Sequence, residues 1–124
     1  MPKLLIVEDE PSVAQILTDK FQSEKFTVLR SHNGEEGLKM ALKNKPDIIL
    51  LDLIMPKMDG LTMLKKLRED KWGKNAQVIV LTNLSDGASI EAAMKDGVYD
   101  FLVKADWKIG DLVKKVKEKL GLKK

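Results

Sequence analysis

Acids, one hydroxyl and one ammonium fall at the ends of short apolar runs in this chain of 124 residues. Glu8, Asp9 and Glu10 follow Leu4–Val7, Asp52 closes Ile48–Leu51, Thr82 closes Val78–Leu81, and Lys104 closes Val98–Val103. Carboxylates crowded at one rim repel and raise one another's pKa unless a cation sits among them. The chain has no Cys, so disulfides, thiolate zinc sites and Cys nucleophiles are excluded together. Any metal then sits on oxygen or on His32, the single histidine. A hard cation follows, and Mg2+ fits best because it keeps several waters and takes one or two carboxylates plus a phosphate oxygen. A metal beside Asp52, with Thr82 and Lys104 opposite, would hold a tetrahedral dianion between a divalent ion, a hydroxyl and an ammonium. That is an arrangement for phosphoryl transfer, with Asp52 as the nucleophile because a carboxylate can carry a phosphoryl group as an acyl phosphate.

These residues act together only if the fold brings the run ends to one place. Five apolar runs recur, Leu4–Val7, Phe26–Leu29, Ile48–Leu51, Val78–Leu81 and Val98–Val103, each of strand length. Four of the five are too continuously apolar for one wet face, which predicts strands buried on both sides. Between them stand segments with helical spacing: Val13, Ile16, Leu17 and Phe21; Leu38, Ala41 and Leu42; Leu61, Leu64 and Leu67. The last segment sets Ile109, Leu112, Val113, Val116 and Leu120 on one face and Lys114, Lys115, Lys117, Glu118 and Lys119 on the other. Pro11 suits a first helical turn, Asp59 or Asp86 a cap, and Gly97 and Gly121 helix ends. Ala88–Lys95, with small side chains, predicts the most weakly held helix. The pattern is βα repeated five times: an α/β fold, flavodoxin-like and doubly wound, with a five-stranded parallel sheet in the order 2-1-3-4-5 and five helices distributed over both faces. Such a sheet binds ligands at strand carboxyl ends beside its switch point, here between strands 1 and 3.

Composition bounds the remaining possibilities. The length fits one domain over residues 1–124, and no linker, repeat or low-complexity stretch divides it. Met1–Val7 meets acid after four apolar residues, too few for a signal segment or a membrane span, so a cytoplasmic protein with no membrane partner is expected. The net charge of +3 belongs to the tail, because residues 107–124 hold seven Lys against two acids. Direct nucleic-acid binding is not indicated, since the tail lacks interleaved aromatics and the chain has two Arg, Arg30 and Arg68. An acidic partner surface suits the lysine face better. His32 ends an edge strand and reads as a solvated loop residue, and Trp72 as a ring packed over the edge of the third helix.

At these residues the chain resembles the receiver domain of two-component response regulators over its whole length, the single-domain chemotaxis regulator being the familiar example. The matching motifs are Leu5-Ile6-Val7-Glu8-Asp9-Glu10, Pro46–Pro56 with Asp59-Gly60 after it, Val80-Leu81-Thr82, and Tyr99–Lys104. The resemblance implies Asp52 as phosphoacceptor, and Mg2+ on Glu8, Asp9, Asp52 and the backbone carbonyl of Ile54. It implies Thr82 and Lys104 as ligands of the phosphoryl oxygens, and Phe101 with Thr82 as the switch pair. The implied donor is a sensor histidine kinase or a histidine phosphotransfer protein. The output partner is implied to bind a face made by the fourth helix, fifth strand and fifth helix, whose two-state equilibrium phosphorylation biases. The protein is then a signalling domain and not an enzyme beyond its own phosphorylation and dephosphorylation. No output domain is expected in the chain.

Departures from the family pattern carry their own expectations. Ala105 follows Lys104 where the family has a proline in a cis bond, and a cis bond before a non-proline costs about 2.5–4 kcal/mol, so a trans bond and a changed loop are predicted. Asn83 replaces a small residue beside the pocket. Ile54 and Leu84 flank the implied path of the hydrolytic water and cannot hydrogen-bond it, which predicts slow self-hydrolysis. The competing reading is a degenerate receiver acting as a phosphorylation-independent interaction module, against which stand the intact Asp9, Asp52, Thr82 and Lys104. A haloacid-dehalogenase-type phosphatase would need its second Asp at Ile54. A nucleotide binder would need a Gly-rich loop where Glu8-Asp9-Glu10-Pro11 stands.

Overall fold

A computed structural model describes residues 1–53, 58–82, 87–98, 100–103 and 108–122. The strands are β1 (Lys3–Val7), β2 (Thr27–Ser31), β3 (Ile48–Asp52), β4 (Val78–Thr82) and β5 (Phe101–Val103). The helices are α1 (Pro11–Ser23), α2 (Gly34–Asn44), α3 (Gly60–Glu69), α4 (Gly87–Lys95) and α5 (Ile109–Lys119). All strand pairings are parallel and the spatial order is β2-β1-β3-β4-β5. The chain therefore has the α/β, flavodoxin-like fold that its pattern predicts.

The continuous apolar runs are explained by cores on both faces of the sheet. Side chains alternate across a strand. Leu5, Val7, Ile49, Leu51, Val78 and Val80 accordingly face one core, completed by Ala41 of α2, Met63, Leu64 and Leu67 of α3 and Ala93 of α4. Leu4, Ile6, Ile48, Leu50, Ile79 and Leu81 face the other, completed by Leu17 and Phe21 of α1 and Leu112, Val113 and Val116 of α5. Burying one such side chain contributes roughly 1.5–3 kcal/mol. The central strands are thereby held rigidly, and their ends are fixed points.

Local signals place the helices as read. Pro11 opens α1, Asp59 Oδ1 accepts from the Thr62 amide at 2.8 Å to cap α3, and Asn33 Oδ1 accepts from the Glu36 amide at 2.8 Å to cap α2. Gly97 and Gly121 take positive φ after α4 and α5. Trp72 is partly buried against the core and His32 is exposed, both as expected. Asp86 lies outside the described residues.

Three expectations are corrected. The second strand begins at Thr27, because Phe26 closes the turn from α1: its amide donates to the Phe21 carbonyl at 3.0 Å and its ring meets that of Phe21 edge-on. The fifth strand begins at Phe101, because Val98 closes α4 through the Ala93 carbonyl and is buried in the core there. Ile16 is 57% exposed, since α1 buries Ala14, Leu17, Thr18 and Phe21 and position 16 turns outward. Thr18 tolerates burial because its hydroxyl donates to the Ala14 carbonyl at 2.7 Å. Among the described residues no helix is long and apolar enough to cross a membrane.

Candidate functional site

The chain runs from β1 outward to β2 and then back across to β3, so the carboxyl ends of β1 and β3 lie side by side at the switch point. Val7 is in register with Leu51. The next residues, Glu8 with Asp9 on one strand end and Asp52 on the other, are therefore delivered to the same spot. One carboxylate oxygen from each lies within 4.8 Å of the others. Glu8 is fully buried and Asp52 is 5% exposed, so two of these charges are held away from bulk water.

Backbone contacts fix the acidic loop. The Glu8 amide donates to the Ser31 carbonyl of β2 at 3.2 Å, and the Glu10 amide donates to Glu8 Oε2 at 3.2 Å. Pro11 follows at once as the first residue of α1. The acids thus stand at the positive end of the α1 dipole, which offsets part of their mutual repulsion. At an effective dielectric constant of about 20, two unit charges at such a separation still repel by roughly 3 kcal/mol. The donor set suits a hard divalent cation: three carboxylate oxygens close enough to reach one ion, no soft ligand, and burial that a cation would offset. His32, exposed at the end of β2, stands apart from this set.

The remaining predicted site residues are placed unequally. Thr82 closes β4 in register with Val103, one residue beyond Leu81, the partner of Asp52, and it is described in its backbone only. Phe101 opens β5 opposite Val80 and packs, half-buried, against the α2–α3–α4 core. Ile54, Asn83, Leu84, Lys104 and Ala105 lie outside the described residues, and with them the implied metal carbonyl, the phosphoryl ammonium, the water path and the peptide isomer after Lys104.

Two supports of the site carry no chemistry of their own and were not among the sequence candidates. Gly60, the first residue of α3, donates its amide to the Leu53 carbonyl at 2.9 Å, and a Cβ there would sit 2.3 Å from the Asp52 carbonyl oxygen. Ser31 at the end of β2 supplies the carbonyl that holds Glu8, although that strand end offers no reactive group. The signal for Gly60 is its place directly after the Asp59 cap. For Ser31 there is none, because any residue has a carbonyl.

The lysine face of α5 is less free than its spacing implies. Lys117 Nζ meets Glu24 Oε1 at 2.6 Å, Lys115 meets Asp100 Oδ1 at 3.6 Å, and Lys119 hydrogen-bonds Asp100 Oδ2. The hydrogen bond and charge of Lys117 hold the Glu24 carboxyl below its usual range. These lysines fasten α5 to the rest of the domain, which leaves Lys114 as the exposed cation of that stretch.

Residues 4–117 match the family model of the response regulator receiver domain. The chain belongs to that family. It is 31% identical over 104 residues to the DNA-binding dual master transcriptional regulator RpaA of Synechocystis, an alignment covering 84% of this chain and 43% of that protein. The receiver domain of a Francisella response regulator superposes with a TM-score of 0.87 at 32% identity, covering 98% of both chains. The receiver of a Pseudomonas aeruginosa sensor histidine kinase, described with a magnesium ion coordinated in its active-site cleft, superposes at 0.88 with 24% identity, covering 97% of this chain and 98% of its own. That likeness establishes the fold. This receiver domain spans less than half the length of the curated relative.

Proposed function

We propose that this receiver domain accepts a phosphoryl group on Asp52 from the phosphohistidine of a sensor kinase or phosphotransfer protein, with Mg2+ as cofactor, and signals through the face of α4, β5 and α5. The observation that carries the proposal is the meeting of Glu8, Asp9 and Asp52 within 4.8 Å at the switch point of a receiver fold. Glu8 and Asp9, with Asp52 and the Ile54 carbonyl, are the proposed holders of the ion. When bound, it supplies positive charge that lets an anionic phosphoryl group approach a carboxylate.

In the transfer, a lone pair on an Asp52 carboxylate oxygen forms the new O–P bond. The P–N bond to the donor imidazole breaks, its electron pair stays on the nitrogen, and that nitrogen takes up a proton from solvent. Asp52 is held for this by β3, whose pairing on both sides fixes its backbone. Positioning of this kind supplies most of what a receiver must contribute to phosphoryl transfer. Thr82 and Lys104 are the proposed ligands of the phosphoryl oxygens, and Phe101, poised between β5 and the core, is the proposed aromatic switch. The role is that of a cytoplasmic signalling domain and not of a turnover enzyme.

Acetyl phosphate tests the proposal without a cognate kinase. Incubated with it and Mg2+, the wild-type chain gains the mass of one phosphoryl group, and Asp52→Ala gains none. An unmodified wild type, or a variant modified to the same extent, overturns the proposal.

A further inference from the structure

The amino end of α2 touches the amino end of α3 at a distance that admits no side chain. The Gly34 amide donates to the Met58 carbonyl at 2.9 Å, and a Cβ on Gly34 would lie 2.1 Å from that oxygen, 2.9 Å from its carbon and 3.1 Å from the Asp59 carbonyl oxygen. All three are backbone atoms, so no side-chain rotation relieves the clash. Met58 and Asp59 lead directly into Gly60, which is pressed in the same way against the Asp52 carbonyl. Backbone-to-backbone contact therefore runs without a gap from α2 through the start of α3 to the residue proposed as acceptor. Asn33 stiffens one end by capping α2, and Asp59 stiffens the other by capping α3.

We propose that Gly34 is a positioning residue for Asp52: the start of α2 is a stop against which the start of α3, and through it the Asp52 backbone, is set. The proposal rests on the acceptor reading of Asp52. A methyl group at position 34 would drive the Met58–Gly60 backbone away by about 1 Å, a displacement of the size that matters for groups required to converge on one ion or one phosphorus.

Gly73 is the internal control. A Cβ there would lie 2.1 Å from the Leu67 carbonyl oxygen, an equally tight backbone clash, but at the far end of α3. Mg2+ affinity by calorimetry and unfolding by urea are measured on the full chain as wild type, Gly34→Ala and Gly73→Ala. Both variants are expected to unfold at lower urea, whereas Gly34→Ala alone weakens Mg2+ binding, by ~10-fold. Mg2+ affinity within twofold of wild type in Gly34→Ala, or equal weakening in Gly73→Ala, overturns the inference. If Gly34→Ala does not fold, the wild type decides by hydrogen exchange. Because coupling is reciprocal, saturating Mg2+ is expected to slow exchange of the Gly34 amide by about fivefold or more and to leave the Ala76 amide, bonded to the Gly73 carbonyl, unchanged. Equal slowing at both amides, or at neither, also overturns it. A wild type that binds no Mg2+ and takes no phosphoryl group from acetyl phosphate overturns the acceptor reading, and the inference with it. A wild type that does both, beside a Gly34→Ala protein indistinguishable from Gly73→Ala, overturns the inference alone.

Discussion

At the carboxyl rim of the sheet Glu8, Asp9 and Asp52 bring three like charges within 4.8 Å, whereas at the amino rim Asp100 is met by Lys115 and Lys119, and Glu24 by Lys117. Arg68 belongs to the second rim as well. Its Nε donates to the Asp96 carbonyl at 2.7 Å, and its Nη1 to the Gly73 and Ala76 carbonyls at 2.7 and 2.8 Å. One fold thus carries two treatments of charge, separated by the length of a five-residue strand. Charges matched inside the chain stabilise it and leave nothing to bind. Like charges gathered at strand ends cost folding free energy that a cation from outside can offset. The difference singles out the carboxyl rim as the place to test for a bound cation.

At the amino rim the heaviest loss of stability is expected at Arg68. Burial lowers the pKa of this guanidinium and Asp96 opposes the shift, yet an arginine remains charged in any folded protein. Its planar fork ties the end of α3 to the turn before β4 and to the end of α4. Arg68→Ala removes the guanidinium donors from three carbonyls, of which Gly73 keeps the Ala76 amide, and is expected to cost about 3 kcal/mol of stability in urea unfolding. Arg68→Lys is expected to recover less than half of that, because one ammonium cannot reproduce the fork. Mg2+ affinity should stay near wild type, since the staple lies at the opposite rim. The next largest effect is expected from the ion itself: at a hundredfold excess over its Kd, Mg2+ adds about 2.7 kcal/mol to unfolding, and a chelator removes it. A melting temperature indifferent to Mg2+ and chelator would remove the distinction between the rims.

The sequence and the structure agree where an element is long or a residue type is decisive. Apolar runs at Leu4–Val7, Ile48–Leu51 and Val78–Leu81 are strands because each side chain finds a core on its own face. The acidic cluster was legible because Glu8, Asp9 and Asp52 close such strands, and strand order then fixes their meeting. What escaped was decided by contacts distant in the chain or by backbone alone. Phe26 and Val98 are apolar and strand-like, but both are spent closing helices against Phe21 and Ala93. Two turns after helices adopt positive φ at Lys25 and Lys45, where no glycine marks them. The pairing of Lys117 with Glu24 spans 93 positions and has no local signature. The close approaches at Gly34 and Gly60 depend on where two helices start relative to each other, which spacing along one chain does not reveal.

A sharper probe removes one charge from the acidic rim. Asp9 faces Glu8 and Asp52 in the cluster, so Asp9→Asn relieves like-charge repulsion and is expected to stabilise the metal-free protein by roughly 1 kcal/mol. At saturating Mg2+ the order reverses, because the variant offers the ion one carboxylate fewer. Urea unfolding of both proteins with chelator and with Mg2+ reads the two signs. A destabilised variant in chelator would show that the cluster is balanced within the chain, as the amino rim is.

The same substitution at the amino rim has the opposite sign and the smallest size. Burial raises the Asp100 pKa, but the hydrogen bond and charge of Lys119, with Lys115 behind it, outweigh burial and hold the carboxyl below its ordinary 3.8. A carboxyl lowered in the folded state contributes stability above its unfolded pKa and loses it as pH falls through the folded value. The groups are partly exposed, so screening reduces the gain, and Asp100→Asn is expected to cost about 0.5 kcal/mol at neutral pH. The gap between wild type and variant should close as pH is taken well below 3.8 and should narrow with added salt. Asp9→Asn and Asp100→Asn each remove one negative charge from the same domain, so net charge cannot explain opposite signs. Only the local partners differ, and two substitutions that shifted stability in the same direction would show that long-range charge, not the design of each rim, governs this fold.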